Sequence, residues 1–240
     1  ATDGSGGFTP SPCALSGSGA SATCSVTYTP SAVGDGTHLI TATYAGNSNF
    51  RASSASQTVT VNKIATTVSI TNSPVTYNDS PQPATVVGSV PGTVSDIKYN
   101  GSTTVRTGAG TYAVTADFVP TDPNYAGLSD ASAGNFVINK ANPDCSSIAG
   151  YNIVYDGTYH PASGSCQGVG NDGTLATLNL GPTTHLFVGT YTNDVWYFND
   201  VTGNYNDATG FVSSTITKAD PDCSSIAGDN VTYDDWPHTA

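Results

Sequence analysis

The stretch Pro143-Asp144-Cys145-Ser146-Ser147-Ile148-Ala149 recurs unchanged as Pro221-Asp222-Cys223-Ser224-Ser225-Ile226-Ala227, 78 positions later. Self-similarity at a fixed period is the mark of tandem modules, each too small to bury its apolar face without a partner layer. The offset extends outward: Ile138-Asn139-Lys140-Ala141 answers to Ile216-Thr217-Lys218-Ala219, and Tyr155-Asp156-Gly157 to Tyr233-Asp234-Asp235. Counting backwards, Val154-Tyr155 falls on Thr76-Tyr77 and Pro161-Ala162 on Pro83-Ala84, so a divergent copy comes first. Val61-Asn62-Lys63 marks one more boundary, 77 positions before Lys140. The expected organisation is therefore 1–62, 63–140 and 141–218, with 219–240 opening a further repeat.

Composition decides what such modules are made of. The chain has no Met, and all 18 of its acidic residues are Asp. Apart from Ala, the straight-chain helix formers are scarce, while Thr, Val, Ile and Tyr suit a pleated half-buried surface and Gly, Asn, Asp and Pro supply turns. Period-2 alternation runs from Ala22 to Tyr28, Thr37 to Tyr44, Thr58 to Val61, Thr67 to Ile70, Thr111 to Phe118 and Tyr191 to Phe198. Asn100-Gly101, with Ile97-Lys98-Tyr99 before it and Thr103-Thr104-Val105 after it, predicts a type I′ hairpin. The fold class expected is all-β, as tandem Ig-like antiparallel β-sandwich repeats.

Three modules share one ending. Gly36-Thr37-His38 leads to Tyr44 and then Asn49-Phe50; Gly110-Thr111-Tyr112 leads to Phe118 and then Asn124-Tyr125; Gly189-Thr190-Tyr191 leads to Phe198 and then Asn204-Tyr205. That order fits the last hairpin of an immunoglobulin-like sandwich, with its final strand running into the linker. On these residues 1–62 resembles part of a bacterial Ig-like repeat, and 64–240 resembles MBG/YDG-type repeats, whose signature stands here as Tyr155-Asp156-Gly157. Tyr77-Asn78-Asp79 and Tyr233-Asp234-Asp235 depart from it by lacking the glycine. The resemblance implies a large, secreted, repetitive bacterial surface protein of the kind assigned to adhesion or to a stalk.

Cysteine usage points to the same compartment. Cys13 and Cys24 flank a Gly/Ser-rich turn that includes Ser16-Gly17-Ser18-Gly19, and Cys145 and Cys166 are the other pair within one module, so two disulfides are expected. The repeat puts a partner for Cys223 just past Ala240, which implies a longer parent chain. Residues 1–62 offer about four strands where such a sandwich needs about seven. The expectation is that the remaining strands precede Ala1, the alternative being strand addition by another chain. No signal peptide or membrane span is visible.

Charge and motif content exclude several functions. A net charge of −12 with six basic residues argues against nucleic acid and anionic lipid. It permits calcium at Asp79, Asp122, Asp144, Asp156, Asp172, Asp194, Asp200, Asp222, Asp234 and Asp235, although Asp is also the ordinary turn residue and no EF-hand spacing occurs. No Cys-x-x-Cys or paired-His spacing for zinc is present, nor a nucleophile elbow. His38, His160, His185 and His238 are the only histidines, and with no catalytic constellation around them the chain is read as no enzyme and as needing no cofactor. Lys63, Lys140 and Lys218 recur beside Asn or Asp, but without Glu as a proton carrier they read as linker residues and not as isopeptide donors.

The function expected is a structural repeat array of an extracellular surface protein: a stalk, adhesin shaft or fibre subunit. Its partners would be neighbouring repeats and identical chains in a fibre, at roughly 35 to 40 Å per module from strand rise. The alternative is a carbohydrate- or mucin-binding adhesion module. Tyr159 and Trp236, in or beside the loop after Tyr-Asp-Gly/Asp, are its candidate glycan contacts, while Trp196 reads as core or sheet surface.

Overall fold

A computed structural model describes residues 6–17, 21–228 and 230–238. Among these residues fourteen strands occur in chain order: β1 (Gly6–Thr9), β2 (Thr27–Pro30), β3 (Thr37–Tyr44), β4 (Ser53–Thr60), β5 (Val68–Ile70), β6 (Val75–Thr76), β7 (Val86–Gly88), β8 (Gly92–Tyr99), β9 (Gly110–Pro120), β10 (Leu128–Asn139), β11 (Asn152–Val154), β12 (Leu178–Asn179), β13 (Gly189–Phe198) and β14 (Ala208–Thr217). One short 3₁₀ turn at Gly181–Thr183 is the single helical element among the described residues. The all-β expectation is met, and the pairs with a determined register are antiparallel except β11 with β14.

The chain divides into two compact units. The first comprises 1–75, 81–106 and 110–138; the second comprises 139–240 together with two loops, Thr76–Ser80 and Thr107–Ala109. In the first unit, β3 and β4 form a hairpin, β1 pairs with β2, and an open groove of about 830 Å³ lies between residues such as Phe8, Leu15, Val26 and Ile40. The following sheet has the order β6-β10-β9-β8, and the β5–β7 pair supplies the second layer. Period-2 patterning turns Val114, Ala116 and Phe118 of β9 and Phe136 and Ile138 of β10 inward, where they are essentially fully buried with Tyr99. Gly88 of β7 lies flat on the Phe118 ring; a Cβ there would overlap the ring atoms, so the layers approach as closely as they do because that side chain is missing.

The second unit repeats the four-stranded design as β11-β14-β13-β12. Trp196, Phe198, Val212 and Ile216 point inward, and Gly210 leaves room for the Trp196 ring to cross its strand. The opposite layer is less regular: single bridges pair Asp144 with Gln167, Ala149 with Ser163, Gln167 with Thr174 and His160 with His185. The Cys145–Cys166 disulfide, with Cα atoms 4.1 Å apart, ties this irregular layer where ladder hydrogen bonds are few.

Two local expectations are corrected. Alternation from Ala22 to Tyr28 predicts one strand, but the strand formed is Thr27–Pro30 and only Thr23 is paired before it, in a single bridge. There the Cys13–Cys24 disulfide and the Ser16 to Thr23 bridge hold a tight loop, and Val26 stays exposed. The Asn100-Gly101 hairpin forms as expected, with φ of 51° and 81°, but its return arm ends at Ser102. Asn100 instead bonds Ala113 on β9, through its backbone N–H and side-chain oxygen, and the chain departs to pair Arg106 with Gln82. Ser18 and Gly19 of the expected N-terminal turn lie outside the described residues.

Candidate functional site: turns and linker clasps

The Tyr-Asp-Gly turn is organised by its carboxylate. Asp156 accepts hydrogen bonds from the backbone N–H and hydroxyl of Thr158 at 2.9 Å, and its Oδ1 lies 2.9 Å from His160 Nε2. His160 first, then Thr158, hold the Asp156 carboxyl down to about 2. Tyr159 stands on the crown of this turn with 69% of its surface exposed. The next copy rebuilds it: Asp234 accepts the Trp236 N–H at 3.1 Å and lies 2.9 Å from His238 Nε2, and Trp236 is 76% exposed. Under the 78-residue offset Trp236 replaces Thr158, so the two candidate aromatics occupy neighbouring and not equivalent places. No ring contact joins them among the described residues.

Most of the carboxylates considered for calcium serve local structure. Asp144 and Asp222 open identical turns; bonds from the Ser146 and Ser224 side chains first, and then from the same residues' backbone N–H groups, lower both carboxyls. Asp79 accepts the Asn171 N–H at 3.0 Å. Asp194 lies 2.8 Å from His185 Nε2, whose ring stacks on Tyr191 at 3.5 Å. Asp235 accepts from the Tyr233 hydroxyl. Burial alone would raise the Asp200 carboxyl, but bonds from Thr202, Gly203 and Tyr205 outweigh it and hold it low. Lys140 Nζ approaches Asp200 at 3.7 Å, an ion pair and not a contact with Asn.

Sequence reading missed two groups. Asp96, Asp117 and Asp130 converge in the first unit, where facing register shifts in β8 and β10 turn Asp96 and Asp130 to positive φ. Lys98 Nζ sits 2.7 Å from Asp96 and 2.6 Å from Asp130, so an ammonium already fills that cluster. In the second unit Asp172 Oδ2 accepts from both Tyr77 at 2.9 Å and Tyr205 at 2.5 Å, and the two rings meet edge to face. Burial, then the bond to Asp172, raises both phenols, Tyr205 to about 12. The Tyr205 oxygen also accepts the Val169 N–H at 2.8 Å.

The shared Asn-aromatic ending acquires a use beyond the hairpin. Asn124 Oδ1 accepts the Val33 N–H at 2.7 Å, its carbonyl accepts the Ile64 N–H at 2.9 Å, and Ala126 N–H returns to the Ile64 carbonyl at 2.8 Å. Asn204 does the same: Oδ1 to the Ala109 N–H at 2.9 Å, carbonyl to the Ala141 N–H at 2.9 Å, and Asn206 N–H to the Ala141 carbonyl at 2.9 Å. In each case one Asn grips a loop just before a Gly-Thr strand and also the linker residue next to a boundary lysine. The one-residue pairings of Ile64 with Tyr125 and Ala141 with Tyr205 are parallel in both.

A β5-to-β10 sandwich ending in this clasp is the observation that comparison with known families bears on. Residues 66–142 match the MBG domain family. No curated protein and no solved structure matches the chain. The matched stretch includes Asn124 but not its clasp partners Val33 and Ile64, and ends one residue beyond Ala141, the linker residue held by Asn204.

Proposed function

We propose that the chain is a structural repeat segment of an extracellular surface protein, serving as a stalk, adhesin shaft or fibre subunit. The carrying observation is that the same three-bond clasp recurs at Asn124 and Asn204, each fixing a linker against the hairpin that follows it. A linker held through backbone bonds resists free rotation, which a load-bearing or projecting array requires and an isolated binding domain does not. The MBG domain is a repeat domain of surface proteins, and two disulfides suit an oxidising compartment outside the cytoplasm. Neighbouring repeats, and identical chains where a fibre forms, are the partners of this reading. None of the residues described is assigned a catalytic role, and the four histidines are taken as structural: His38, for example, is buried between the Tyr28 hydroxyl and the Val33 carbonyl.

A second reading rests on Tyr159 and Trp236, exposed aromatics on hydrogen-bonded turns that present flat apolar faces for sugar rings. A glycan array separates the two. Selective binding abolished by Tyr159→Ala supports the adhesion module; absence of binding, with elongated scattering and rods or fibres by electron microscopy, supports the structural array. A compact scattering profile without filaments refutes the array.

A further inference from the structure

The four-stranded sheet of the second unit turns one face to solvent, and that face carries an unusual set of side chains. Trp196 and Phe198 of β13 and Val212, Ser214 and Ile216 of β14 point into the core, so strand alternation puts Val195, Tyr197, Phe211 and Ser213 on the other side. Tyr197 is 41% exposed and Phe211 67%. Val195 lies opposite Phe211 and Tyr197 opposite Thr209, so the two rings stand at diagonal positions on neighbouring strands, at Cα separations of roughly 7–8 Å. Asn179 of β12 pairs with Tyr197 and extends the row.

No charged side chain of β11, β12, β13 or β14 stands on this face. Their one acidic residue, Asp194, pairs with buried Val212 at a register shift and bonds His185. In a chain of net charge −12 an uncharged sheet face is a local choice and not a matter of composition. The first unit supplies the contrast. Asp117 before the core residue Phe118 holds the place that Tyr197 holds before Phe198, and Asp96, Lys98 and Asp130 gather round it. The same sheet design therefore accepts a charged face.

The chemistry of the uncharged face selects its ligand. Tyr197, Phe211 and Val195 offer apolar flats. Around them, Thr209 gives its proton to the Trp196 carbonyl and keeps lone pairs to accept, Asn179 accepts the Gly181 N–H at 2.9 Å and keeps its NH₂ to donate, and Ser213 is exposed. That much hydroxyl and amide is foreign to the core of a protein interface, which is apolar and depleted of Ser. It matches a neutral sugar chain, whose ring faces are apolar and whose edges are hydroxyls. An anionic chain is repelled by the net charge.

We infer that the outer face of β12, β13 and β14 binds a neutral glycan, stacked on Tyr197 and Phe211 and hydrogen-bonded by Asn179, Thr209 and Ser213. The site uses neither Tyr159 nor Trp236, and it rests on neither the array reading nor the turn-aromatic one. A shaft or fibre carrying it adheres along its flank.

The test is amide NMR of the full isotope-labelled chain, titrated into the millimolar range with hexasaccharides of glucose, N-acetylglucosamine and mannose, and with hexagalacturonate as the anionic control. The expected result is that a neutral sugar shifts the Val195, Tyr197 and Phe211 amides, hexagalacturonate shifts none of them, and the Lys98 and Asp117 amides stay in place. Tyr197→Ala and Phe211→Ala each weaken binding about tenfold, and Tyr197→Phe retains it. Tyr197→Asp, which installs the first unit's residue, abolishes it. Both positions are exposed, and unchanged spectra away from the face verify that the variants fold. Tyr159→Ala and Trp236→Ala leave this binding intact, which separates it from the turn aromatics. The inference is overturned if no neutral sugar shifts the face, if hexagalacturonate matches the effect, if both units shift alike or if Tyr197→Asp still binds. Shifts on this face that follow protein concentration without sugar overturn it too, since they make it a contact between copies. Scattering or microscopy that refuted the array would leave the titration standing, so the two failures are distinguishable.

Discussion

Replacing Tyr205 by Phe removes one oxygen from a site where it serves two bonds. The ring keeps its place, since its edge-to-face contact with Tyr77 at 5.6 Å needs no hydroxyl. What disappears is the donor to Asp172 at 2.5 Å and the acceptor for the Val169 N–H at 2.8 Å. A hydrogen bond to a charged group contributes about 1.5–3 kcal/mol, and an orphaned N–H costs about 1–3 kcal/mol more. Val169 is only half-buried, so water recovers part of the second term, and the expected loss is about 2–4 kcal/mol. Tyr77→Phe deletes only the 2.9 Å bond to Asp172 and a long one to Asp79, for about 1.5 kcal/mol. Urea unfolding read by Trp196 fluorescence, in a Trp236→Phe background, reports the second unit by itself, which matters because a chain of two units need not unfold in one step. With a urea dependence of about 1–3 kcal/mol per molar, the midpoint for Tyr205→Phe falls by about 1–2 M. A fall under about 0.3 M, or one no larger than that for Tyr77→Phe, refutes the reasoning that the phenol oxygen is the hub of this network.

The raised Tyr205 phenol makes an alkaline prediction. Protonation is favoured in the folded state, so its stabilisation is whole below the ordinary value near 10 and is lost as pH climbs through about 12; thermal melts across that range steepen in their decline, and Tyr205→Phe flattens the decline. At the acid end the depressed Asp156 carboxyl stabilises above the ordinary range and ceases to do so as pH falls through about 2; carboxyl NMR titration gives that midpoint, and His160→Ala moves it upward. Converting both Cys145 and Cys166 to Ser costs the second unit about 3 kcal/mol in urea, and an unchanged midpoint argues that the irregular layer holds without the bridge. Gly88→Ala drives a methyl into the Phe118 ring and destabilises the first unit by about 1–3 kcal/mol; pairing it with Phe118→Leu costs less than the sum of the two, as a coupled contact requires.

Local order was legible where it is local. A Gly-Thr-aromatic start followed by period-2 alternation located β3, β9 and β13, because a strand with one buried face has to write that face into its sequence. Cysteine pairing was legible from modular spacing, and the side chains came out within bridging distance. The Asp172 network was not: it joins Tyr77 and Asp172 across 95 residues, and a lone Asp in a Gly-rich loop reads as any turn Asp does. The Asp96, Asp117 and Asp130 cluster was hidden for a different reason. Two register shifts move its members out of the alternation that sequence reading relies on. The Asn-aromatic pairs are legible as hairpin endings, but their second partner lies in a separate segment, so the grip exists only once the chain has folded.

The stretch that duplication copied and the stretch that holds together are out of phase. Tyr77 and Ala109 lie between the lysine landmarks of one copy, yet the loops that carry them belong to the compact unit of the next. Excision at a lysine landmark, the obvious choice for an engineer wanting one copy, would leave one product with orphaned loops and the other without the partners of Asp172 and Asn204. Inheritance here counts in one frame and cooperativity in another, so a faithful minimal fragment has to overlap two copies.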